Sequence, residues 1–321
     1  MSSPSSIRPT RLAAVLLTGV LALTACGGGQ EESAAAATRT VTDAGGKAVQ
    51  VPVTPAKVVA LSEPTLDAAL ALGVKPIAVT AGRGQNGVST YLAAQSGDAE
   101  VVATVAEPDL EKIAALAPDL ILLDETVGAK RVTDKLEAIA PTVMTAKLNE
   151  DWRKAFTATA DALGKKPDAE KWLADFDADV ATAKSGLGDN AGAVTSVIRW
   201  QNGAPSVVGK GVGHVGSTLS ALGLTRPTGQ QGASSGHSEP ISLEKLDTID
   251  GDWIFFGALG DKAASQTAYE EAKKVPNFSK LKAEQDKHVI VIEGSAWNSS
   301  GGPVAAKTVL TDVTTALNSS S

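Results

Sequence analysis

Residues 167–185, PDAEKWLADFDADVATAKS, divide the chain into two halves that each alternate strand-like and helix-like segments. Ala169, Trp172, Leu173, Phe176, Val180 and Ala183 recur at spacings of three and four, so one apolar stripe follows a 3.6-residue period. The ends are marked as well. Pro167 is tolerated in a first turn, Asp168 and Glu170 suit the positive end of the helix dipole, Lys184 suits the negative end, and Gly186 is placed to take a left-handed cap. About twenty residues rising about 1.5 Å each reach about 30 Å, the width of a small domain. The pattern predicts a linker helix over 167–185 that joins two lobes without a flexible hinge; periodicity alone also fits a surface helix inside one large domain.

The N-terminal segment does not read as part of either lobe. Arg8 and Arg11 precede an apolar run, Leu12 to Leu23, that is too short to span a bilayer and has the form of a signal-peptide core. It ends in Leu23-Thr24-Ala25-Cys26 followed by Gly27-Gly28-Gly29, the pattern of a bacterial lipobox, in which the cysteine is lipidated and becomes the new N-terminus. Cys26 is the only cysteine, so the chain forms no internal disulfide. The expected organisation is a signal peptide at 1–25, a flexible tether at 26–39, a first lobe at 40–148, connecting helices at 149–187 and a second lobe at 188–321, with the mature protein extracytoplasmic and held to the membrane by acyl chains alone. Of 29 basic side chains two leave with the signal peptide, so 27 stand against 36 acidic ones, a formal charge of −9. That balance argues against a nucleic-acid partner.

Along the chain, 40–53 reads as a hairpin turning at Ala44-Gly45-Gly46. Val58–Leu61, a helix opened by Pro64 and stopped by Gly73, and Pro76–Thr80 form a strand, helix, strand unit that argues for parallel pairing. A glycine-rich loop, Ala81 to Gly87, leads towards Tyr91, and further helix and strand pairs follow through Thr145. A helix from Asn149 to Leu163, capped by Asn149 and closed by Gly164, precedes the linker. After it come strands at Val194–Trp200 and Ser206–Val208, a helix at Val215–Leu222, two more helix and strand units, and a final helix at Gly302–Leu317. Leu110, Glu111, Lys112, Ile113, Leu116, Asp119 and Ile121 match Leu243, Glu244, Lys245, Leu246, Ile249, Asp252 and Ile254 at a constant offset of 133 residues. The repeat favours two similar lobes facing one another.

KVVALSEPTLDAALALGVKPIAV, DLEKIAALAPDLIL, ISLEKLDTIDGDWIFF and the ending WNSSGGPVAAKTVL, in that order behind a lipobox, make the chain similar to the substrate-binding lipoproteins of bacterial ABC importers for iron-siderophores, relatives of those for haem and vitamin B12. The resemblance implies two Rossmann-like α/β lobes joined by one long helix, a ligand cleft between the lobes, and little closure on binding. It also implies a monomeric, non-enzymatic receptor without a cofactor, whose ligand is an Fe(III)-siderophore complex. A glutamate on each lobe of such proteins docks on arginines of a permease dimer, and the matching positions are Glu111 and Glu244.

Ligands of open α/β sheets bind outside the carboxyl ends of the strands. That rule selects Ser62-Glu63, Thr80 to Asn86 and Asp124-Glu125 in the first lobe, and Arg199 to Asn202, the loop near His237, Gly257 to Gly260 and Gly294 to Asn298 in the second. Trp152, Trp172 and Trp253 read as core, whereas Trp200 and Trp297 fall at strand ends, where a cleft role and a structural role are both open; Tyr91 is equally divided. Arg83 and Arg199 lie on strand-end loops of opposite lobes, and Arg226 is a weaker candidate that also suits holding a loop. Guanidinium forks can donate to the oxygens of a ferric chelate while aromatic faces cover its apolar arms, so the expected ligand-binding set is Arg83, Tyr91, Arg199, Trp200, Trp297, Arg226 and His237. The small number of cleft arginines favours a hydroxamate over a trianionic catecholate chelate.

Other readings are weaker. Gly211, Gly213 and Gly216 satisfy GxGxxG, but no acidic residue ends a strand about twenty positions later. Direct zinc or manganese binding needs converging ligands, and His214, His237 and His288 are the only histidines, with His237 and Glu239 the one plausible pair. A haem or cobalamin would find axial candidates in His214, His237 or Tyr91. A hydrolase lacks a GxSxG elbow and a paired-carboxylate motif.

Overall fold

The computed structural model describes residues 37–125, 128–211, 213–232 and 236–318. The stretch expected to be a signal peptide, the expected lipidation site Cys26 and most of the expected tether lie outside the described residues. The first strand begins at Thr38, inside the stretch expected to be tether.

Strands β1 (Thr38–Thr42) and β2 (Ala48–Pro52) form an antiparallel hairpin whose Val41, Val49 and Val51 are buried. The first lobe is built on a five-stranded parallel sheet: β3 (Val58–Ala60), β4 (Ala78–Thr80), β5 (Glu100–Ala103), β6 (Leu120–Leu123) and β7 (Thr142–Met144), in the order β5-β4-β3-β6-β7. Every residue of β3, β4 and β6 is buried, which is why these strands read as apolar or small-residue runs rather than alternating patterns. The order reverses between β3 and β6.

The second lobe holds β8 (Thr195–Gln201), β9 (Ala204–Val207), β10 (Trp253–Gly257) and β11 (Val289–Val291) in the order β11-β10-β8-β9. Strands β8, β10 and β11 run parallel; β9 returns antiparallel along β8. Asn202 (φ 53°) and Gly203 (φ 78°) make the two-residue turn between them, the Asn-Gly chemistry that matches the twist of a hairpin. The stretch expected to be a strand-end loop at 199–202 is therefore a continuous hairpin.

The repeat in the sequence has a structural counterpart. Asp119 accepts the amides of Ala56 and Lys57 at 2.8 and 2.9 Å, just ahead of β3, and Asp252 accepts the amide of Val194 at 2.8 Å, just ahead of β8. Each carboxylate closes the start of a central parallel pair in its lobe, β3 with β6 and β8 with β10.

Between the lobes runs a 20-residue helix, Lys166–Ser185. Ala169, Phe176 and Val180 are buried, and Trp172 and Leu173 pack against the cores of both lobes. Its C-cap differs from expectation: Gly186 is right-handed (φ −87°), and the left-handed residue is Gly188 (φ 53°). The preceding helix also starts later than expected, at Trp152. Asn149 is left-handed (φ 65°), and Asp151 is the cap, accepting the amides of Arg153 and Lys154 at 2.8 and 3.3 Å. Trp152, Phe156, Trp172 and Phe176 interlock along these two helices with ring centroids 5.3 to 6.3 Å apart. The first-lobe helix Glu63–Ala71 packs on the C-terminal helix Pro303–Asn318, so the lobes meet directly as well as through the linker.

Candidate functional site

A cavity of about 900 Å³, counting its open mouth, lies between the sheets. From the first lobe it is lined by Pro64 and Asp124, which follow β3 and β6 at the point where strand order reverses, and by Arg83 and Lys147. Trp152 lines it from the helix before the linker, and the second lobe contributes Arg199, Val208 to Lys210, His214, His237 and Trp297 to Gly301. A switch point is where the two neighbouring loops diverge, and the crevice they leave is the physical reason a ligand site forms there.

Two arginines dominate its electrostatics. Arg199 is 5 % exposed, and burial followed by the charge of Arg83 from the opposite lobe lowers its guanidinium. Among the described residues neither arginine has a carboxylate within ion-pair distance, and the Nε atoms of both are buried without a partner. Two cations brought together in a partly dry site, with donors unsatisfied, are poised to take an anionic acceptor. Behind Arg83 sits Glu63, whose carboxyl burial pushes up to about 6, against the pull of the Ser89 hydroxyl at 2.7 Å and of Arg83. Lys147 and Lys210 add basic groups on the two sides and Asp124 and Glu150 acidic ones, and the Oδ1 of Asn298 and the hydroxyl of Ser299 are buried without partners in the wall.

Of the residues expected in the site, Arg83, Arg199, Trp297 and His237 line the cavity, and Tyr91, Trp200 and Arg226 do not. Side chains alternate across a strand, so Arg199 and Trp200 cannot share a face. Trp200 packs on the far side, 5.9 Å from the Phe256 ring and 6.1 Å from that of Phe278. Tyr91 donates its hydroxyl to Asp67 at 2.9 Å and is held out of the cleft. Arg226 is occupied by the carbonyls of Gly209 and Val208 at 2.6 and 3.0 Å and by Gln230 at 2.6 Å, so it holds the cavity-lining segment from outside. Burial lowers its guanidinium to about 10. Trp297 is itself 1 % exposed, stacked on Phe255 with centroids 4.8 Å apart and bonded to Asp312 at 2.8 Å, so it is a rigid wall more than a free aromatic face.

Glu111 and Glu244 are exposed in the first turns of matching helical segments, after the caps Asp109 and Ser242. His214 opens the helix His214–Ala221; its Nε2 lies 2.7 Å from the carbonyl of Ala296, which assigns that nitrogen as donor, and burial lowers the imidazole to about 4. The GxGxxG pattern is a packing device: a Cβ on Gly216 would stand 2.5 Å from the Gly209 carbonyl, so the helix start lies directly on the loop. His288 stacks on Trp253 at 3.9 Å. Among the described residues no group of three or more His, Cys, Asp or Glu side chains is placed to hold a metal ion.

Trp152, Lys147 and Lys210 were missed by sequence reasoning. Trp152 carries an apolar helical period and reads as core, yet its ring edges the cavity while its Nε1 donates to Ser217 at 2.9 Å. Lys147 follows β7, and the strand-end rule extended to that strand would have found it.

Two α/β lobes on one helix, with a basic cavity at the strand reversal, define a solute-binding protein. The chain belongs to the periplasmic binding protein family, whose model matches residues 58–296, and within it to the iron-siderophore substrate-binding proteins. It is 30 % identical to the probable siderophore-binding lipoprotein YfiY of Bacillus subtilis over 313 residues, 94 % of this chain and 95 % of that one. It is 39 % identical to the iron(3+)-hydroxamate-binding protein FhuD of the same organism over 153 residues, 46 % of this chain and 48 % of that one. The fold is similar to that of Staphylococcus aureus SirA solved with staphyloferrin B, with TM-score 0.73 and 24 % identity, covering 88 % of this chain and 99 % of that one.

Proposed function

We propose that this chain captures a ferric siderophore outside the cytoplasm and delivers it to an ABC importer, binding through the cavity and docking through Glu111 and Glu244. The observation that carries the reading is the pair Arg83 and Arg199, set on opposite lobes and lining one cavity, with the Nε atom of each buried and without a hydrogen-bond partner. Held by Cys26 acyl chains, the receptor would stay near its permease. A hydroxamate chelate remains the first choice. Lys147 and Lys210 on the lining are offset by Asp124 and Glu150, so Arg83 and Arg199 set the excess positive charge, a modest one that suits a hydroxamate chelate. Haem and cobalamin find a poorer site, because two of the three axial candidates are engaged, His214 with the Ala296 carbonyl and Tyr91 with Asp67, which leaves His237 on the cavity wall.

A tryptophan-fluorescence titration of the purified protein with ferrioxamine B, ferric citrate, a ferric catecholate, haem, a cobalamin and zinc tests this, with Trp152→Phe as the reporter control. Saturable quenching by the ferric chelates alone, reduced in that variant, is expected. Saturation by haem, cobalamin or zinc alone would overturn the siderophore assignment.

A further inference from the structure

The cavity wall at 297–301 runs directly into the helix Pro303–Asn318, and the start of that helix has no side chain of its own to close it. Pro303 lacks an N–H and Gly302 lacks a side chain, so the orphan donors of the first turn need an acceptor from elsewhere. Asp67, fully buried on the helix of the opposite lobe, is that acceptor. Its Oδ1 takes the Val304 amide at 2.7 Å, and its Oδ2 takes the amides of Gly302 and Ala305 at 3.0 Å and the Tyr91 hydroxyl at 2.9 Å.

The approach is too close for larger residues. A Cβ on Gly302 would meet Asp67 Oδ1 at 3.0 Å, and one on Gly301 would meet Ala305 Cβ at 2.4 Å and the His214 ring at 2.9 Å. The other end of the wall is fixed by the 2.7 Å bond between His214 and Ala296. Asp67 and Tyr91 are absent from the cavity lining, so neither reaches a ligand there.

We propose that Asp67 is a positioning residue for the ligand site: by capping the C-terminal helix across the lobe boundary it fixes the 297–301 wall before ligand arrives. The inference rests on the receptor reading above. A wall ordered in advance removes an ordering cost from binding, so releasing it weakens affinity without removing a single ligand contact.

The test compares Asp67→Asn, which keeps shape but places an amide before four donors, with Phe278→Leu, which loosens the core on the far face of the second-lobe sheet. Hydrogen exchange at the amides of 299–304 and affinity for ferrioxamine B and ferric citrate are read for both. Asp67→Asn is expected to speed exchange at those amides and to raise Kd about tenfold, while Phe278→Leu, at a similar fall in Tm, changes neither. Should Asp67→Asn not fold, Tyr91→Phe removes one of the donors and is expected to give a smaller change, about twofold. Unchanged Kd with faster exchange, unchanged exchange, or an equal Kd rise in Phe278→Leu would each overturn the proposal. If the intact protein binds neither chelate, the receptor reading fails instead, and the exchange comparison still decides whether Asp67 holds the wall.

Discussion

Arg199 and Trp200 are neighbours in β8 and face opposite sides of its sheet: one lines the cavity, the other lies 5.9 Å from Phe256 in the core beyond. Trp200→Phe is therefore expected to leave chelate affinity within about twofold. Its indole Nε1 is buried without a partner, so losing that donor offsets part of the lost packing and the stability cost stays near about 1 kcal/mol. Titration and denaturant unfolding of the variant check both parts.

Arg199→Met separates stability from binding. Removing a buried guanidinium that faces Arg83 relieves desolvation and like-charge repulsion, so the ligand-free protein is expected to gain about 1 kcal/mol. Affinity for a ferric chelate is expected to fall about 100-fold with the loss of charge-assisted bonds. A variant that loses stability and keeps its affinity would place the anion elsewhere.

Three buried groups give the stability profile opposing acid responses. His214 titrates near 4 in the folded chain against about 6.5 unfolded, so its contribution is present above pH 6.5 and is lost as pH falls through 4. Asp67 and Glu63 titrate near 6 against ordinary carboxyl values near 4, so their contributions are present below pH 4 and are lost as pH rises through 6. Between pH 7 and 4, His214→Asn is expected to gain about 3 kcal/mol relative to the parent and Asp67→Asn to lose a similar amount. Unfolding at the two pH values reads the signs directly.

Asp119→Ala and Asp252→Ala should behave alike, since each removes a carboxylate tied to amides ahead of the first strand of its lobe. A loss of about 1 to 2 kcal/mol each is expected, with ligand affinity unchanged. Calorimetry and titration check the pair.

Charge reversal at Glu111 and Glu244 probes docking. Both side chains are exposed and neither lines the cavity, so Glu111→Arg and Glu244→Arg are expected to leave Kd for a ferric chelate unchanged and to lower uptake in cells by at least about tenfold when combined. Unimpaired uptake by the double variant would remove these residues from the interface.

The fold was largely legible. The apolar period from Ala169 to Val180 and the buried run at Leu120–Leu123 are local signals, and the 133-residue repeat carried the two-lobed plan. The site was legible only in part. The strand-end rule selects Arg83 and Arg199, but it selects Trp200 with them, and a strand sends adjacent side chains to opposite faces. Tyr91 follows the glycine-rich loop and Arg226 suits either a ligand or a loop, and their partners, Asp67 and the carbonyls of Val208 and Gly209, are set by contacts that neither position nor residue type reveals. Asn149 carries cap chemistry yet gives way to Asp151, because a left-handed backbone at Asn149 postpones the helix.

The bond between Asp67 and Val304 spans 237 residues. In a chain made from its N-terminus, the central parallel pair of each lobe is complete in sequence well before Pro303 is added, while the carboxylate of Asp67 still lacks its backbone donors. The cleft is consequently finished last. A chain interrupted before Pro303 keeps every residue of both sheets but lacks the helix start whose amides Asp67 accepts, so the sheets are encoded ahead of the contact that ties the lobes together.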